Sequence, residues 1–106
     1  MYKGVTPTYT FKAPDGLDMS SATKVWVTFS TPDEREILTK TGNELEVTTD
    51  KVKVFLSQQE TLHFITGKIL VQLNWLYNEG SLTKRGASNK FSIIAETNLK
   101  NEVLNA

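Results

Sequence analysis

One histidine, a short cluster of acids and no cysteine are the reactive inventory of this 106-residue chain. His63 follows Glu60 closely enough to suggest an acid–base pair, and hydrolytic chemistry would need a nucleophile beside it and a carboxylate to orient it. However, Ser57-Gln58-Gln59-Glu60 has the spacing of a capping box, which commits the glutamate to the serine N–H and leaves His63 as an ordinary turn or strand-edge residue. A lone histidine without cysteines does not make a common zinc site. Asp33, Glu34 and Glu36 could in principle serve glycoside hydrolysis or calcium binding, but Arg35 interrupts them with a compensating charge, and a solvated turn is expected. The glycines stand singly and form neither a phosphate-cradling loop nor a nucleophile elbow. No catalytic residue, cofactor or metal is expected, and the chain reads as a non-enzyme.

The elements around these residues read as short strands. Turn residues recur about every ten positions between segments rich in threonine, β-branched and aromatic residues. Tyr9 and Phe11 alternate with polar neighbours in a first strand that ends at Ala13-Pro14-Asp15-Gly16. In Lys24 to Ser30, residues Val25, Val27 and Phe29 share one side, with Trp26 and Thr28 on the other. Glu36 to Lys40 pairs back as a hairpin. Leu45 to Thr48 and Lys51 to Leu56 form two more short strands around the Thr49-Asp50 turn. A single helical turn is expected at Ser57 to Glu60. Ile69, Val71, Leu73, Trp75 and Tyr77 put the strongest alternation in a central strand. Ser81 to Ser88 reads as an exposed loop, and Phe91, Ile93 and Ala95 mark the last strand. Leu99, Val103 and Leu104 would share a helical face in the tail, capped at Thr97 or Asn98.

This pattern predicts an all-β fold, an immunoglobulin-like β-sandwich of about seven strands with a short C-terminal helix. A jelly roll or small barrel is the alternative architecture. The sandwich is expected over residues 1–97, with 98–106 as a tail.

Twelve Lys and Arg balance twelve Asp and Glu. The lack of a basic cluster argues against nucleic acid, which is bound by releasing counterions from phosphates. No apolar run approaches the roughly 20 residues that cross a bilayer, and the opening residues lack the apolar core of a secretion signal, so synthesis in the cytoplasm is expected.

The residues Thr6-Pro-Thr-Tyr-Thr-Phe11, Asp18-Met-Ser-Ser-Ala-Thr23, Val25-Trp-Val-Thr-Phe29, Val54-Phe-Leu-Ser-Gln-Gln-Glu-Thr-Leu62 and Ile69-Leu-Val-Gln-Leu73 occur in a suggestive order. The chain resembles small structural proteins of prophages of Gram-positive bacteria, and its layout is similar to the immunoglobulin-like N-terminal domain of baseplate upper proteins. The likeness rests on strand patterning, and those domains also place a Leu-Ser/Thr-x-x-Glu turn before the penultimate long strand, which Leu56-Ser57-Gln58-Gln59-Glu60 matches. The resemblance implies a non-enzymatic building block of a virion, and it transfers no functional residue.

The second face of the strands is not uniformly polar, as a free-standing sandwich would have it. Trp26, Phe55, Leu70, Leu76 and Ile94 fall opposite the core face by alternation. Together they would mark a protein–protein surface. The candidate interface is Trp26, Phe55, Leu70, Leu76, Leu99 and Val103, and the expected partners are other protein subunits or a second copy. The competing reading is a carbohydrate- or ligand-binding module using Trp75 and Tyr77 with Asn74 and Asn78. Core burial of both rings would remove it.

Overall fold

The structure is a computed structural model that describes residues 1–105. Its strands are β1 (Thr8–Lys12), β2 (Lys24–Ser30), β3 (Glu36–Thr41), β4 (Leu45–Val47), β5 (Lys51–Phe55), β6 (Gly67–Glu79), β7 (Leu82–Ala87) and β8 (Phe91–Ala95). The helix α1 spans Gln58–Leu62, and single 3-10 turns lie at Met19–Ser21 and Gly42–Glu44. The strands form two antiparallel sheets, β1-β5-β4 and β3-β2-β6-β7, with β8 on the same edge of β6 as β7. The fold is thus an all-β sandwich, and neither sheet closes into a barrel.

Alternation places the core where the sequence puts it. Val25, Val27 and Phe29 of β2 and Ile69, Val71, Leu73 and Trp75 of β6 are buried, facing Val52, Val54 and Phe11 of the smaller sheet. Residues two apart on a strand share a side, so each apolar series lines the inter-sheet space. The ring of Phe64, after α1, lies 5.5 Å from that of Phe29 and helps to close the core. Helix α1 begins as its sequence demands. Ser57 Oγ accepts from Glu60 N–H at 3.1 Å, and Glu60 Oε1 accepts from Ser57 N–H at 2.8 Å.

Lys40 is a less legible member of the core. It pairs with Val27, only 8% of it is exposed, and its ammonium lies 2.6 Å from Glu60 Oε2 and 3.7 Å from Glu44 Oε2. A buried ammonium requires such partners. Glu60 therefore caps α1 and also ties it to β3. Burial opposes ionisation of Glu60, but the bonds from Lys40 and Ser57 outweigh it and hold its carboxyl below the ordinary value of 4.5.

The N-terminal residues continue the larger sheet. Tyr2 forms a parallel bridge with Glu96, and Gly4 N–H and Val5 C=O both bond the buried hydroxyl of Thr61, at 2.9 and 2.8 Å.

Two expectations are corrected. Ser81 to Ser88 is not a loop, because residues 82–87 form β7, whose side chains are mostly exposed on both sides. An edge strand without an apolar face carries no alternation to read. The tail has no helix over residues 98–105, and Ala106 lies outside the described residues. Asn98 Oδ1 accepts from Lys100 N–H at 3.1 Å, but no helix propagates from this cap-like bond. Instead Gln58 binds the Leu104 backbone through both amide atoms, at 2.9 and 2.8 Å. Leu99 and Val103 remain exposed, so no apolar face is buried to stabilise so short a helix.

The chain is elongated, measuring 52 × 33 × 20 Å, with a radius of gyration of 15.0 Å where a compact chain of this size would have about 13 Å. Strand β6 is the cause. It pairs with β2 only from Leu70 to Leu76, and beyond that only β7 accompanies it in a projecting hairpin.

Candidate interaction surface on the outer face of the larger sheet

The cross-strand register defines the surface. Lys24, Leu76 and Arg85 form a row across the outer face of β2, β6 and β7. The next row is Thr41, Trp26, Asn74 and Ala87, followed by Thr39, Thr28 and Gln72 and then by Glu36, Ser30, Leu70 and Ser92. Lys68 and Ile94 close it, and the bridge from Tyr2 to Glu96 adds Tyr2 at the corner. Neither sheet of the sandwich lies over this face.

A cationic cluster sits at one end. The Arg85 guanidinium lies 5.0 Å and the Lys24 ammonium 5.7 Å from the centre of the Trp26 ring. Arg85 Nε and Nη2 also donate to Asn74 Oδ1, at 3.2 and 3.1 Å, and Asn74 is buried. Cation–π attraction and the forked bond hold the guanidinium in a single place.

The centre is polar. The Thr28 and Thr39 hydroxyls are 3.2 Å apart, and Gln72 Nε2 donates to Ser88 C=O at 2.9 Å. Beside them lies an open concavity of about 290 Å³, lined by Thr28, Ser30, Glu34, Leu70, Gln72 and Lys90. The Glu34–Lys90 ion pair joins the β2–β3 turn to the start of β8 along its rim. Glu34 holds a φ of 65°, in the left-handed region, within a turn built on Thr31. A hydrogen bond from Thr31 Oγ1 keeps the Asp33 carboxyl below its ordinary range against the opposing effect of desolvation, and Arg35 adds its charge at 2.9 Å.

The six sequence-derived interface residues are distributed over three places. Trp26, Leu70 and Leu76 share this face and are half-buried, with Ile94 exposed beside Leu70. Phe55 belongs to the outer face of the smaller sheet, opposite Thr8, and Leu99 and Val103 lie in the tail. The apolar residues of the larger sheet do not form one stripe, because Thr28, Gln72 and Asn74 separate Trp26 and Leu76 from Leu70 and Ile94. Lys24, Arg85 and Tyr2 were missed as parts of the surface. Lys24 could have been found, since it sits two residues before Trp26 on one strand; Arg85 lay in a segment read as a loop.

The remaining candidates do not come together. His63 is the exposed C-cap of α1, while both oxygens of Glu60 are engaged by Ser57 and Lys40. Among the described residues no group of three or more His, Asp and Glu is placed to hold a metal ion. Trp75 is only 6% exposed and Tyr77 packs against the core, so the two rings present no flat platform for a sugar. No helix is long and apolar enough to cross a membrane. The chain matches no protein-family model and no curated protein sequence.

Proposed function

We propose that this protein is a non-enzymatic structural or interaction subunit of a phage or prophage, working by protein–protein contact through the outer face of its larger sheet. The observation that carries the docking role is the composition of that face. Trp26, Leu70, Leu76, Ile94 and Tyr2 lie on it among fixed polar groups, with two cations close to the Trp26 ring. Aromatic and large aliphatic anchors with a polar surround are the composition that dominates interface energetics. The phage context rests on the order of sequence features and on the likeness to the N-terminal domain of baseplate upper proteins. Synthesis in the bacterial cytoplasm followed by incorporation into a particle is the corresponding location.

A photo-reactive residue at Thr28, in the middle of the face, tests the docking role in producing bacterial cells, with Lys53 on the opposite sheet as control. Covalent protein adducts from position 28 and not from 53 are expected. Equal yields at both, or none at either, would remove the reading. Mass spectrometry of particles from an induced lysogen tests the phage context, which fails if the chain is missing from them.

A further inference from the structure

We infer that the outer face of the larger sheet is self-complementary and docks on a second copy of this chain about a two-fold axis lying across the strands. The inference rests on the docking role proposed above and names the partner.

Charge complementarity carries it. Lys24 and Arg85 stand at one end of the face, and neither has a carboxylate partner among the described residues. Glu36, at the β3 edge of the other end, has no cationic partner either. The other charges of the β2–β3 turn are internally matched, Asp33 with Arg35 and Glu34 with Lys90. Lys68 and Glu96 are also unmatched at that end, and both lie on the β6–β8 side, away from the β3 edge.

Turning a second copy over by a two-fold axis across the strands lays the Lys24 end of one β2 on the Ser30 end of the other. Each Lys24 then approaches the Glu36 of its partner, and the contact occurs twice, as a closed isologous interface requires. The same operation sets Leu76 of each copy toward Leu70 of the other, because both lie on β6. It brings the two Thr28 and Gln72 rows together near the axis.

The dimensions fit. Four strand columns about 4.8 Å apart, followed along β6 at about 3.4 Å per residue, make a face of roughly 600–800 Å². A standard protein interface takes about 800 Å² from each partner. A formal charge of zero leaves no net repulsion between copies.

The test is sedimentation velocity over a concentration series on the intact chain, with circular dichroism to verify the fold of each variant. Wild type is expected to form a dimer. Lys24→Glu and Glu36→Lys should each weaken it by about tenfold or more, and the double reversal should recover most of the loss, the signature of a direct charge pair. Leu76→Glu, at a half-buried outer position, should abolish the dimer without unfolding the chain. A protein that stays monomeric to its solubility limit overturns the inference, as does a dimer unchanged by both charge reversals. A monomer whose position 28 still crosslinks to a different protein refutes self-docking alone. Absence of all crosslinks at that position removes the docking role with it.

Discussion

The indole of Trp75 lies against the backbone of its cross-strand partner Gly86, where a single added Cβ would overlap Cε2, Cζ2 and Nε1 of the ring. Gly86 has no unusual backbone angle, so its role is space and not conformational freedom. The ring covers the strand backbone that a glycine leaves bare, and in doing so it anchors the projecting β6–β7 hairpin to the core.

Gly86→Ala should therefore destabilise the protein by about 1–3 kcal/mol, the usual cost of overpacking, despite the entropic gain that alanine brings. Thermal denaturation followed by tryptophan fluorescence would show it. An unchanged melting temperature would mean that the hairpin shifts freely and that Trp75 does not hold it.

The Lys40–Glu60 pair predicts an asymmetry between two substitutions. Glu60→Gln leaves a nearly buried ammonium with only the more distant Glu44 and should cost about 1–3 kcal/mol in urea unfolding. Lys40→Met removes the ammonium and retains most of its apolar volume, so it should be close to neutral. Equal losses from both would show that the charge pair is worth more than its desolvation.

Acid should weaken the same tie. The Glu60 carboxyl titrates below its ordinary 4.5 in the folded state, so its stabilisation is complete above the unfolded carboxylate range and is lost as pH falls through the folded value. Stability against pH should be flatter over that acid limb in Glu60→Gln than in wild type. Parallel curves would assign the acid sensitivity to other carboxylates.

Removing residues 97–106 should leave the sandwich folded, because the described part of the tail is exposed apart from the half-buried Asn98 and is fastened chiefly by the Gln58 amide on Leu104. A fall of a few degrees in Tm, about 1 kcal/mol, is expected. Failure to fold would place the tail within the core. Gln58→Ala should likewise speed hydrogen exchange at Leu104 while leaving β6 protected.

Much of this architecture is legible in the sequence. Period-two alternation in Val25 to Phe29 and in Ile69 to Tyr77 follows from strand geometry alone, and burying one face of each series specifies an all-β fold, while the strand pairing decides between a sandwich and a barrel. The Ser57–Glu60 cap is local chemistry completed within four residues, and it too could be read directly. These features depend on near neighbours, which the sequence lists in order.

Only the tertiary structure decided the rest, because it depends on which strands lie side by side. Strand β7 has no apolar alternation and exists because β6 offers it an edge. Lys40 occupies a core position because α1 brings Glu60 over it. Phe55 parts from Trp26, Leu70 and Leu76 because β5 pairs with β1 in the other sheet, a difference that parity along a single strand does not encode. The tail stays unwound because its apolar residues bury no surface, and the backbone of Leu104 bonds instead to Gln58, 46 residues earlier. Arg85 reaches Trp26 only through the β2–β6–β7 register, and that long-range pairing turned a half-apolar strand face into a surface with a charge at each end.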